Sequence, residues 1–116
     1  LKPPRETQAH IEAFRKPARW VDYTGPITNR QAAGIVLMDH PANPRHPAPF
    51  HVRDNGWMGV CLTLNEPLTI VPKEPLRLRY GLWIHAGVPD AAEIDRQWQA
   101  FAKEERASME TKKAVK

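Results

Sequence analysis

Apolar and polar positions alternate most regularly over residues 76–86. Leu76, Leu78, Tyr80, Leu82, Ile84 and Ala86 fall on one parity, and Arg77, Arg79, Gly81, Trp83 and His85 on the other. A period of two is the signature of a strand whose two faces see different surroundings. The first set is expected to form the core side of an antiparallel sheet, and the second its polar and aromatic surface. Residues 31–39 are apolar on both parities, which predicts a central strand covered on both faces. Residues 18–24 are rich in strand formers (Trp20, Val21, Tyr23, Thr24). Residues 50–53 and 57–64 read as two strands joined by Asp54-Asn55-Gly56, a strong tight-hairpin signal. Residues 68–71 predict a short edge strand between prolines.

The period changes near the end of the chain. Ile94, Trp98, Phe101 and Ala102 form an apolar stripe at helical spacing, which predicts a helix over 90–105. Asp90 and Glu93 suit the N-cap and N3 positions of a capping box. A second short helix is expected over 5–15, where Ile11 and Phe14 share a face before Pro17 stops it. The predicted fold is mainly β, an antiparallel β-sandwich with one C-terminal α-helix packed on the sheet. The domain runs over 18–105, after an N-terminal extension or short helix at 1–17 and before a charged, disordered tail at 106–116. Five or six strands leave open edges, which fits half of a larger sandwich.

Composition narrows the class. The chain has 116 residues, the size of one ordinary domain or part of a larger one, and twelve prolines argue against a helical bundle. It begins at Leu1, as a processed form or a piece of a longer protein would. The net charge of +4 is carried mainly by the two ends, and residues 21–88 are nearly neutral. A nucleic-acid binder concentrates Lys and Arg on its folded face, so no nucleic-acid partner is expected. The single cysteine, Cys61, excludes an intramolecular disulfide and reads as an inert buried thiol. No apolar run approaches the roughly 20 residues that span a bilayer.

Candidate chemistry concentrates in residues 39–53, which hold three of the five histidines and four of the twelve prolines. Prolines fix φ and remove donors, so this stretch is expected to be a stiff, extended loop that displays His, Asn and Arg. His40, His46 and His51 are candidate ligands for a divalent metal, with Asp39 or Asp54 adding a carboxylate. Their spacing matches no standard metal motif, and the alternative is that they hydrogen-bond the loop's own carbonyls and lock its shape. His51 and Arg53 share one strand face, as do Arg77, Arg79, Trp83 and His85. If those strands are neighbours, His, Arg and Trp meet on one surface. Such a cluster suits sugars, because an indole face stacks on C–H groups, Arg and Asn bond hydroxyls, and a histidine exchanges protons near neutral pH. Arg77 and Arg79 could instead simply pair with Glu66 or Glu74. Trp98 and Phe101 read as core, Trp20 and Tyr23 as sheet packing, and Glu93 and Asp95 as helix caps.

Four segments together carry a resemblance. They are Arg19-Trp20-Val21-Asp22-Tyr23-Thr24-Gly25, the run from Gly34 to Pro47 with its His-Pro-x-Asn-Pro-x-His-Pro core, Pro49-Phe50-His51-Val52-Arg53, and Leu76-Arg77-Leu78-Arg79-Tyr80 with His85-Ala86-Gly87. Over about residues 18–102 the chain resembles the C-terminal portion of a bacterial family commonly labelled "methane oxygenase PmoA". The resemblance implies a β-sandwich of twice this length or more, exported or periplasmic, in organisms rich in glycan-degrading enzymes. It also implies packing against an N-terminal half or another subunit. No established catalytic residues come with it. The resulting expectation is a carbohydrate-associated β-sandwich, with His40, His51 and His85 as acid/base candidates and Asn43, Arg53, Trp83 and Arg79 as sugar-binding candidates. Its alternatives are a non-catalytic structural or interaction module, in which the Pro-rich loop is a rigid brace, and a metal-dependent oxygenase.

Overall fold

The computed structural model describes residues 14–104. Over these residues it is mainly β, with antiparallel sheets and a single helix near the C-terminus, the class expected from the sequence. The strands are β1 (Trp20–Pro26), β2 (Ala32–Asp39), β3 (Phe50–Val52), β4 (Met58–Val60) and β5 (Tyr80–Ala86). The helix α1 spans Ala91–Ala102. One sheet has the order β1-β2-β5, and β3 and β4 form a second, two-stranded sheet. The doubly apolar segment is therefore the central strand. In the register, Asp22 sits across from Val36 and Gly34 across from His85. The Asn55-Gly56 turn closes the β3–β4 hairpin, with Val52 opposite Met58 and Gly56 at φ +95°. That backbone angle suits glycine, which has no Cβ to clash.

One buried apolar cluster lies between α1 and one face of the three-stranded sheet, and Ala48, Phe50 and Val52 are buried outside it. Val36, Met38, Ile94 and Trp98 are buried together, with Trp20, Trp83, Phe101 and Ala102 packed around them. Asp90 caps the helix by accepting from the Glu93 N–H at 2.8 Å. The reciprocal half of the capping box does not form, because Glu93 is engaged by Arg96 and Gln97. The bond from Arg96 holds the Glu93 carboxyl below its ordinary range.

The faces of β5 are the reverse of the expectation. Gly81, Trp83 and His85 turn toward the helix side, and His85 is buried. Leu82 and Ile84 are 65% and 75% exposed. Alternation shows that two faces differ. Which one is covered depends on where α1 lands, and Gly81 lets it land on the polar parity. A Cβ there would sit 2.9 Å from Met38 and 3.2 Å from Phe101. Residues 76–79 are not strand. The Arg79 N–H goes to the Asn43 side chain instead of a neighbouring strand. The expected strand over 57–64 contracts to Met58–Val60, followed by turns. Residues 68–71 form no strand, only an isolated bridge between Val71 and Glu74 around Lys73 at φ +70°. Of the expected helix over 5–15, all but Phe14 and Arg15, which form a turn, lies outside the described residues, as does the tail at 106–116.

Candidate functional site

Residues 39–49 are tied down group by group. Asp39 is 1% exposed. Its carboxylate accepts from Asn43 Nδ2 at 2.8 Å, His46 Nδ1 at 2.7 Å and the Ala48 N–H at 3.2 Å. Its carbonyl accepts from the Trp98 indole at 2.9 Å. Asn43 also bonds the backbone of Arg79 both ways, donating to its carbonyl and accepting from its N–H, each at 2.7 Å. The amide thus imitates a strand residue and anchors the loop to the start of β5. His40 Nδ1 accepts from the Ala42 N–H at 3.0 Å, so its Nε2 carries the proton and donates to the Glu104 carbonyl at 3.1 Å. His46 stacks on Trp98 with ring centroids 6.0 Å apart. Arg45, in the left-handed region at φ +64°, reaches across to the carbonyls of Leu62, Glu66 and Pro67. Three charge-assisted bonds hold it where an L-residue is strained.

These contacts decide among the sequence expectations for the loop. His40 and Asn43 are buried and spend their polar atoms on the fold. The rings of His40, His46 and His51 do not converge. Among the described residues, no group of three or more His, Cys, Asp or Glu side chains is placed to hold a metal ion. Arg79 meets Glu104, bonding its carbonyl at 2.8 Å, rather than Glu66 or Glu74. The loop does contain an imidazole oriented by a buried carboxylate, His46 on Asp39, an arrangement able to steady a histidine for proton transfer.

The expected meeting of His51 and Arg53 with Arg79, Trp83 and His85 does not occur. β3 pairs with β4, whereas β5 pairs with β2 in the other sheet. Two separate clusters result. On the hairpin, Arg53 Nε donates to His51 Nε2 at 3.2 Å, and His51 meets Phe14 and Trp57 edge-on. Arg15 and Arg53 both lie over the Phe14 ring. Trp57 is 63% exposed. It was not singled out from the sequence, although its place right after a tight turn, opposite a His-x-Arg strand, was a usable signal.

On the inner sheet face, His85 Nε2 lies 2.7 Å from Asp22 Oδ1, and the Thr24 hydroxyl donates to Asp22 Oδ2 at 2.6 Å. Gly34 makes the room. A Cβ there would sit 2.5 Å from Thr24 Oγ1 and 2.9 Å from His85 Cε1. His85 Nδ1 is buried without a hydrogen-bond partner. Trp83 packs against the core beside this ring, with centroids 5.1 Å apart.

The outer sheet face presents apolar side chains. Ile35, Leu82 and Ile84 are adjacent across β2 and β5 and are exposed. At one end this surface deepens into an open groove of about 650 Å³ between the sheet and the hairpin turn, lined largely by Tyr23, Ile27, Ile35, Ile84 and residues 54–56. Tyr23 joins the two sheets there, donating to the Arg53 carbonyl at 2.6 Å and accepting from the Gly56 N–H at 2.8 Å.

A family model matches residues 3–99. The chain belongs to DUF6807, a family of unknown function. The match spans the braced loop, both sheets and most of α1, so these features belong to the family's domain. No curated protein and no solved structure matches the chain.

Proposed function

We propose that this DUF6807 chain is an interaction module, one β layer whose outer face packs against a second β layer, with the Pro-rich loop as its rigid brace. The second layer comes from an N-terminal half of a longer protein or from another subunit. The observation that carries this reading is the exposure of Leu82 and Ile84, at 65% and 75%, beside Ile35 on the central strand. Contiguous apolar surface on a sheet is where sandwiches join their layers. The loop supports it, since His40 and Asn43 are occupied in holding the chain together. The test uses a dye that fluoresces on apolar protein surfaces. The 116-residue chain binds it, and the Leu82→Lys/Ile84→Lys variant loses that binding at an unchanged melting temperature. A chain that binds no dye contradicts the reading.

A second reading rests on the hairpin patch, where exposed Trp57 stands beside His51 and Arg53. An indole face next to a guanidinium is suited to stacking on and hydrogen-bonding a sugar ring. This reading keeps the PmoA-like resemblance, with its carbohydrate association and exported location, and moves the site from the loop to the hairpin. Calorimetry with neutral and keto sugars tests it. Heat that Trp57→Ala abolishes supports the patch, and a flat titration of the unmodified chain removes it.

A further inference from the structure

We infer that two copies of this chain pair along the free edge of β5, antiparallel and about a two-fold axis at Trp83, forming one continuous six-stranded sheet. Among the described residues β5 is an edge strand, hydrogen-bonded only to β2. The direction of its free backbone groups follows from the ladder. The Gly87 N–H donates to Ala32, and the Arg79 carbonyl accepts from the His40 N–H, so residues 79 and 87 both turn their polar groups toward β2. In an antiparallel pair this direction alternates residue by residue. Gly81, Trp83 and His85 therefore face β2, and Tyr80, Leu82, Ile84 and Ala86 present their N–H and C=O groups to the open edge. No turn, loop or cap hydrogen bond among the described residues reaches those four.

Edge strands are ordinarily protected by lysine, proline, a bulge or an inward charge. β1, the opposite edge, has the inward Asp22 and ends in Pro26. Tyr80–Ala86 has no Lys, Arg, Asp, Glu or Pro. A second copy of β5 fits this edge in one full-length register. With Trp83 on the axis, Tyr80 of one copy faces Ala86 of the other, and Leu82 faces Ile84. Each of these is an outward-pointing residue opposite another, so every free N–H and C=O from Tyr80 to Ala86 gains a partner. Registers that set even-numbered residues against odd-numbered ones place outward groups opposite inward ones and make no ladder. Registers centred on Leu82 or Ile84 leave one end of the strand unpaired.

The side chains agree with the same register. On the outer face, Leu82 lies beside Ile84 of the second copy, a favourable apolar cross-strand pair. On the inner face, Gly81 lies opposite His85, and the two Trp83 residues meet at the axis. Because the strand carries no formal charge, the axis brings no like charges together. The contact is isologous and closes at two copies. It is independent of the second layer proposed above, and it would extend the outer face that such a layer covers.

Sedimentation over a range of concentrations, with amide hydrogen exchange, tests the pairing. The expected result is a species of twice 13.2 kDa. In that species the amides of Tyr80, Leu82, Ile84 and Ala86 become protected as concentration rises, while those of Gly81, Trp83 and His85 are protected throughout. Ile84→Pro removes an outward N–H and leaves the β2 ladder its bonds. It is expected to weaken self-association at least tenfold while keeping the circular dichroism spectrum. Ile35→Lys, on the outer face of the central strand, is expected to leave the dimer intact. A monomer whose four outward amides exchange fast at every concentration overturns the inference. So does a dimer lost in Ile35→Lys but kept in Ile84→Pro, which would place the contact on the face. If Ile84→Pro does not fold, the exchange pattern of the unmodified chain decides alone.

Discussion

Both faces of the β1-β2-β5 sheet carry apolar side chains, but the two differ in exposure. On the inner face, Val36 and Met38 are sealed by Ile94 and Trp98. The charged strand residue there, Asp22, is partnered by His85 and Thr24. On the outer face, Ile35, Leu82 and Ile84 stand exposed. The difference teaches that local amphipathicity does not choose the core. The choice falls to the element able to bury most surface, here a helix bearing a tryptophan that also hydrogen-bonds the Asp39 carbonyl. On our proposal, the other apolar face is left for another layer.

The largest effect should come from emptying the covered face. Trp98→Ala removes the centre of the core and the bond to Asp39, and is expected to cost about 3–5 kcal/mol in chemical denaturation. A cost under about 1 kcal/mol would mean that α1 is not what holds the sheet. Next comes the brace. Asn43→Ala leaves the Arg79 N–H and a buried side of Asp39 without partners, for an expected loss of about 2–3 kcal/mol. His40→Ala should lower the melting temperature in the same direction, with His51→Ala much nearer neutral. The smallest effect belongs to the open face. Ile84→Lys should change the stability of the 116-residue chain by no more than about 0.5 kcal/mol. A loss comparable to that of Asn43→Ala would show that the outer face is already covered and would erase the contrast.

Much of the fold was legible in the sequence. The doubly apolar run 31–39 marked the central strand, Asn55-Gly56 marked the hairpin, and the stripe from Ile94 to Ala102 with Asp90 before it marked the helix. These signals are local, because each depends on spacing within one element or on the backbone preference of one residue. The candidate site was less legible. His51 and Arg53 do meet, being two residues apart on one strand. His40 and Asn43 read equally well as ligands or braces, because the groups that occupy them, Glu104 and Arg79, lie 64 and 36 residues away. The Asp22–His85 contact, across 63 residues and next to a glycine, left no trace in spacing.

By itself, then, the sequence determined the class of fold and the order of its main elements, which follow from short-range sterics and periodicity, whereas the Pro-rich stretch, expected to be mostly extended, folds into successive turns. The tertiary structure alone decided which face of β5 is core, that the loop histidines are anchors, and that His85 joins Asp22 rather than His51. Those outcomes depend on which side of the sheet α1 packs against and which sheet β3 joins. Both are set by burial and hydrogen bonding between residues far apart in the chain.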